Sequence, residues 1–287
     1  MPRIVCAGHL NWDVLFRVDA LPQPDGEATV RDRTASGGGS ASNVACGLVD
    51  LGAEASLLGS VGDDDHGRTA REQLRSNGVD CDSVVTVPDG ETATKYIVVE
   101  PSGEVMVLGC AGANEAFDAD DLPDAELERA DHLHLTSQRP ETATELARRA
   151  HDAGLTVSFD PGRRIGERAY STAISTVDYL FLNDREAALA LDAFELAEQT
   201  LVLKHGPDGA EVRDDGDRIA HPGYPIDAVD TTGAGDAFAA GFIAERTAGA
   251  DFERALAVAN ACGAIVSRSP GSLGTLSRDA VRSFLGE

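Results

Sequence analysis

Lysine is almost absent from this chain of 287 residues: Lys95 and Lys204 stand alone, every other basic residue is an arginine, and the 24 basic side chains face 49 aspartates and glutamates. The net charge of −25 gives a surface that repels phosphate backbones and anionic lipid heads, which argues against nucleic acid or a membrane as the main partner. Cysteine is equally uninformative as a staple. The five residues Cys6, Cys46, Cys81, Cys110 and Cys262 are odd in number, lie far apart and include no Cys-x-x-Cys pair, so neither a disulfide framework nor a zinc ribbon is indicated. No apolar run approaches the roughly 18 residues that span a bilayer, and Asn11 and Asp13 interrupt the first apolar stretch too early for a secretory core. The expectation is a soluble, cytoplasmic protein in a reducing compartment.

What is present is a regular alternation. A chain of this length buries roughly 75% of its unfolded surface and needs no metal to hold it together. Short apolar runs alternate with segments of helical period, the pattern of a largely parallel sheet covered by helices. Residues 3–8, 55–60, 132–136, 155–159, 178–182 and 200–204 read as strands. Helices are expected at 40–52, 66–77, 140–153, 168–176, 184–192, 236–248, 252–268 and about 277–285, several of them stopped by a glycine such as Gly52, Gly78 or Gly154. Two segments, 14–34 and 92–108, break the rhythm with strand-like alternation around turn residues, Pro101-Ser102-Gly103 reading as a hairpin loop. They are expected to form a small β lid on a single domain spanning 1–287, the alternative being extra edge strands of the main sheet.

Chemistry concentrates at residues 230–242. Gly233-Ala234-Gly235 permits a tight turn whose N–H groups converge, and a helix starting near Asp236 adds its positive end, so the turn is an anion hole. A carboxylate at that mouth repels a phosphate unless a proton has to be taken there. In phosphoryl transfer to an alcohol a base accepts the hydroxyl proton while backbone donors hold the oxygens of the moving group. Asp236 is the candidate base. On this turn alone, a plain helix cap by Thr232 or Asp236 is an equal alternative.

Residues 37–62 supply a glycine triplet before a helix, Asn43 in its first turns, and glycine-punctuated strands. With residues 230–242 they resemble both halves of the PfkB (ribokinase-like) carbohydrate kinase family, along essentially the full chain. The resemblance implies a ribokinase-like α/β fold, a mostly parallel central sheet flanked by helices with a small β lid. It also implies transfer of the γ-phosphoryl of ATP to a hydroxyl of a sugar. In that reading Asn11, Asp13, Gly38, Gly39 and Asn43 hold the acceptor, Asp236 takes its proton with an ordinary carboxylate pKa near 4, and Gly233, Ala234 and Gly235 steady the transferring group. Amide and carboxylate suit vicinal hydroxyls, although an Asx turn would also account for Asn11. Ribokinase itself carries a lysine between the glycines and the asparagine; Ser40, Ala41 and Ser42 stand there instead, which counts against ribose specificity.

The same resemblance places Asn183 and Glu186 around the water shell of Mg²⁺, a spacing that equally suits a capping box. It places Lys204, Gly206 and Gly209 along the nucleotide phosphates, with a surface hairpin as the alternative, and Asn260 beside the adenine. Asp230, the Thr232 region and the loop 267–274 match a site for a monovalent cation such as K⁺. His132 and His134 share a strand face as a metal pair would, but no cysteine or third histidine is near in sequence. Arg163 and Arg164 follow Asp160-Pro161-Gly162 at the carboxyl end of a strand, where α/β sheets bind ligands; they suit a substrate carboxylate or phosphate, or a salt-bridged surface. The stretches 158–162 and 181–186 look like the archaeal nucleoside-kinase branch. A nucleoside acceptor therefore stays open beside a sugar, with 2-keto-3-deoxygluconate as a third. A non-catalytic sensor is disfavoured, because binding alone gains nothing from the charge of Asp236. The lid is the expected face of a homodimer, and the dispersed acid with few lysines points to a halophilic archaeon.

Overall fold

In the computed structural model, which describes residues 1–194, 196, 199–268 and 276–287, two sheets divide the strands between them. The central sheet holds β1 (Arg3–Ala7), β4 (Glu54–Gly62), β5 (Val84–Val87), β8 (His132–Thr136), β9 (Thr156–Asp160), β10 (Tyr179–Asn183) and β11 (Thr200–Lys204), all parallel. Its order is β13-β12-β11-β10-β9-β8-β1-β4-β5, where β12 (Ala210–Asp214) and β13 (Asp217–His221) extend it antiparallel. The second sheet has the order β3-β2-β6-β7, from β2 (Asn11–Val18), β3 (Val30–Gly38), β6 (Thr94–Val99) and β7 (Val105–Cys110). Segments 14–34 and 92–108 contribute to this second sheet and pair with no strand of the first.

Both faces of the central sheet are covered, because alternate residues of each strand go to opposite cores. Ile4 and Cys6 join one cluster with α1 (Ser40–Asp50), α2 (Asp65–Ser76), α7 (Ala234–Thr247), α8 (Phe252–Ser267) and α9 (Arg278–Leu285). Val5 and Ala7 join the other with α3 (Asp124–Leu127), α4 (Pro140–Asp152), α5 (Ser171–Ser175) and α6 (Asp184–Ala193). The same split recurs at Phe181 against Leu180 and Leu182, and at Val202 against Leu201 and Leu203. Each fully buried Leu, Ile, Val or Phe contributes ~1.5–3 kcal/mol.

The differences from the sequence expectation are local. The helix expected at 168–176 shrinks to α5, preceded by a 3₁₀ turn at Gly162–Arg164, and the Arg168 side chain bonds the Gln138 carbonyl instead of joining the helix surface. Helix α7 starts at Ala234, two residues earlier than expected. The β12–β13 hairpin was not expected from its polar sequence. Its turn at Asp215-Gly216 has positive φ at both residues, the geometry that Asp-Gly favours in a two-residue hairpin loop. No described helix is long and apolar enough to cross a membrane, and all five cysteines are free.

Candidate active site

Asn11 opens β2 fully buried, and its side-chain oxygen accepts a 2.6 Å bond from Asn114 Nδ2 instead of closing an Asx turn. Asp13, two residues on, sits opposite Lys95 in the β2–β6 register. Burial raises the pKa of Asp13 above the usual carboxylate range, with Lys95 opposing. A Cβ at Gly38 would collide with the Asp13 carboxylate, and one at Gly39, where φ is 101°, would collide with the His9 carbonyl. The two glycines thus let β3 pass directly over the start of β2. Helix α1 begins behind them, and its Asn43 donates from Nδ2 to Asp236 Oδ2 at 2.7 Å, joining the two distant motifs.

Four side-chain atoms of this cradle are buried without a hydrogen-bond partner among the described residues: Asn11 Nδ2, Asp13 Oδ1, Asn43 Oδ1 and Asn114 Oδ1. Each such atom costs ~1–3 kcal/mol unless a partner from outside the chain supplies the bond, and a ligand rich in hydroxyls would supply several at once. Gly38→Ala should therefore raise the acceptor KM about tenfold, equivalent to ~1.4 kcal/mol, with the KM for ATP within about twofold of wild type. Steady-state kinetics varying each substrate in turn checks it, and equal losses for both would point to a general distortion.

On the other side of Asp236, Gly233 is left-handed with φ 77° and no side chain caps α7. Asp236 is the third helical residue, and its carboxylate is spent on Asn43, so the cap alternative for Thr232 or Asp236 does not describe this helix. Burial pushes the Asp236 pKa up to about 6, assisted by Asp160 and opposed by the Asn43 bond, Lys204 and Lys95. That is a stronger base than the ordinary carboxylate expected from the sequence.

Lys204 ends β11, and its Nζ bonds Asp160 Oδ2 at 2.6 Å. Burial would lower the Lys204 pKa, but Asp160, with Glu186 and Asp236, prevails and raises it. Both lysines of the chain thus act on the carboxylates of one cleft. Asn183 and Glu186 form the capping box of α6, with backbone bonds of 2.9 Å in each direction. Glu186 is 5% exposed, and burial together with Asp160 raises its pKa.

Lys204, Gly206, Gly209, Ala234, Gly235 and Asn260 line one cavity of about 380 Å³ whose remaining walls are largely apolar. The turn at Gly206–Gly209 does belong to a hairpin, between β11 and β12, and the hairpin faces this cavity. Asn260 Nδ2 is bonded to the Leu256 carbonyl at 2.8 Å. Asp230 Oδ1 accepts from the Thr232 N–H at 2.9 Å, and Arg17 Nη2 lies 3.9 Å from Oδ2. Of the loop expected at 267–274, positions 269–274 lie outside the described residues. His132 and His134 both bond the Ser158 hydroxyl at 2.7 Å, and burial takes their pKa values down to about 3 and about 4. They are neutral core residues, and no cluster of three or more metal-ligating side chains occurs among the described residues.

Sequence reasoning did not assign Asp160, Lys95, Asn114 or Glu115 to the site. Asp160 carried one usable signal, its place at the carboxyl end of a strand.

A carboxylate of raised pKa at the amino end of a helix, with a polar cradle on one side and a cavity of about 380 Å³ on the other, is an arrangement suited to moving a phosphoryl group onto a hydroxyl. The class is a small-molecule kinase. The model of the pfkB family carbohydrate kinases matches residues 1–278, and the chain belongs to that family. It is 52% identical over 293 residues to an ATP-dependent ribose-1-phosphate kinase of Halopiger xanaduensis, covering 100% of this chain and 99% of the relative. It is 28% identical over 297 residues to a nucleoside kinase of Methanothermobacter thermautotrophicus, covering 99% and 96%. The crystal structure of Methanocaldococcus jannaschii nucleoside kinase superposes with a TM-score of 0.88 at 26% identity, covering 100% of this chain and 98% of that one.

Proposed function

We propose that the protein is an ATP-dependent kinase of ribose 1-phosphate that phosphorylates the 5-hydroxyl. The observation that carries the reading is the full-length 52% identity to a ribose-1-phosphate kinase. Asn11, Asp13 and Asn43 hold the ring hydroxyls, with Gly38 and Gly39 making room for them. The primary 5-hydroxyl is the acceptor group least hindered and farthest from the phosphate on C1. Asp236 accepts its proton as the oxygen attacks the γ-phosphorus, the bond to the β-phosphate oxygen breaks, and ADP leaves. The N–H groups around Gly233, Ala234 and Gly235 and the Lys204 ammonium take up the charge of the transferring group, while Gly206, Gly209 and Asn260 line the nucleotide cavity.

Mg²⁺ supplied with the nucleotide would neutralise phosphate charge, and Asn183 and Glu186, with Asp160 beside them, fit an ion held through water. Glu186→Gln keeps the capping box, which accepts glutamine in that position, and removes the charge. The Mg²⁺ concentration giving half-maximal rate should rise about tenfold, with a melting temperature near wild type. An unchanged Mg²⁺ dependence leaves Glu186 as a cap only. Asp230 and the Thr232 region are our assignment for K⁺. The four-stranded sheet serves as the lid, and the exposed Val105, Val107 and Leu108 of β7 support its use as the face of a homodimer. Location in the cytoplasm of a halophile completes the reading.

The similarity to archaeal nucleoside kinases supports a second acceptor class. ADP release at high KCl with ribose 1-phosphate, ribose, nucleosides and 2-keto-3-deoxygluconate separates them. Ribose 1-phosphate should give the highest kcat/KM; a nucleoside in that place would replace the proposal.

A further inference from the structure

We propose that Arg164, on a platform made by Glu115, Arg168 and His9, binds the phosphate that the acceptor already carries, and so selects phosphorylated over neutral acceptors. This rests on the reading of the protein as a sugar-phosphate kinase and names the group that reads the phosphate.

Glu115 is flanked by three nitrogen-bearing side chains. His9 Nε2 lies 2.8 Å from its Oε1, Arg164 Nη1 3.3 Å from Oε1 and Arg168 Nη2 3.0 Å from Oε2. Burial would raise the Glu115 pKa, but the bonds from His9 and Arg168 prevail and bring it to about 2, so it is ionised. Two guanidinium groups against one carboxylate leave a local surplus of positive charge in a chain whose net charge is −25. Such a surplus favours an anion, and no other carboxylate pairs with either arginine among the described residues.

The group adjoins the acceptor cradle by two routes. Asn114, next to Glu115 in the chain, is bonded to Asn11, and the His9 carbonyl is the atom a Cβ on Gly39 would strike. One residue before His9, Gly8 packs against the Thr136 hydroxyl, a buried atom with no partner among the described residues. The two arginines differ in freedom. Arg168 is fixed by a second bond, from Nη1 to the Gln138 carbonyl at 2.5 Å, whereas Arg164 is 44% exposed and holds Glu115 by one long contact. Arg168 positions; Arg164 is free to turn a planar pair of N–H donors to a phosphate. Lys95, the other cation of the acceptor side, faces Asp13 and acts on Asp236, so a phosphate placed there would meet two carboxylates.

The test is Arg164→Gln and Arg164→Lys in the full chain, with KM and kcat for ribose 1-phosphate, for ribose and for a nucleoside, and the KM for ATP. Arg164→Gln should raise the ribose 1-phosphate KM about tenfold or more, leaving the KM values for neutral acceptors and ATP within about twofold, and Arg164→Lys should recover part of the loss. An unchanged ribose 1-phosphate KM, or an equal rise for neutral acceptors, overturns the role of Arg164. If wild type prefers a different phosphorylated sugar, the identity of the acceptor falls, while the inference stands on Arg164→Gln abolishing the preference for that sugar phosphate over its unphosphorylated form. If wild type turns over neutral acceptors alone, both are wrong.

Discussion

Asp236→Asn should lower kcat by at least ~10²-fold while the KM values for ATP and acceptor stay near wild type, because the change keeps the shape and removes only the ability to take a proton. The pH dependence gives a second reading of the same residue. Burial holds the Asp236 pKa at about 6, and the base must be ionised to act. kcat/KM for the acceptor should therefore rise about tenfold per pH unit below 6 and level off above about 7. In the complex, phosphate charges beside Asp236 favour its neutral form and move the midpoint of kcat higher still. The asparagine variant should lose this limb. Rates from pH 5 to 8 under saturating ATP decide the matter. A variant with near wild-type kcat, or a wild-type midpoint near 4, would remove Asp236 from the base role.

The arrangements legible in the sequence are those that depend on near neighbours. The Gly233-Ala234-Gly235 turn and Asp236 stand within four positions, Asn183 and Glu186 within one helical turn, and both settings are visible to pattern reasoning. The strand and helix alternation is local in the same sense, which is why most of the central elements match their expected ranges within two residues. The double glycine could be seen, but not its reason: Gly38 exists because Asp13, on another strand, would otherwise have no room. Asp160, Lys95 and Glu115 escaped because each gains its role from partners across the sheet or between loops. Lys204 meets Asp160 through strand order β11-β10-β9, and Glu115 meets Arg164 and Arg168 through a loop that no period announces. The β12–β13 hairpin escaped for another reason, since strands at the end of a sheet that are rich in Asp, Glu and Arg lack the apolar run by which buried strands are recognised.

Lys204→Met should destabilise the unliganded protein by ~3–5 kcal/mol, the scale for removing one partner of a buried ion pair. The Lys204 and Asp160 side chains are 15% and 17% exposed, so neither solvent nor salt replaces the missing ammonium. Glu186 and Asp236 already sit above the usual carboxylate range with Lys204 present, and both rise further without it. The sign of the pH effect follows. A carboxyl whose folded pKa exceeds its unfolded one favours folding while protonated, and that contribution is lost as pH rises through the folded value. The deficit of the variant should thus be larger at pH 7.5 than at pH 5. Adding Asp160→Asn removes one of the stranded charges, and Lys204→Met with Asp160→Asn should regain more than half of the lost stability, a coupling between contacting residues of the expected sign. Catalysis should not follow, because the Lys204 Nζ lies beside the Gly235 turn, 3.7 Å from the place a Cβ there would take, where we propose that its charge serves the transferring group. Denaturant melts at the two pH values, with kcat measured on the same samples, separate the effects. A double variant no more stable than Lys204→Met, or a single variant as stable as wild type at pH 7.5, would show that the pair contributes nothing to the fold; a double variant with wild-type kcat would show that Lys204 serves only to neutralise Asp160.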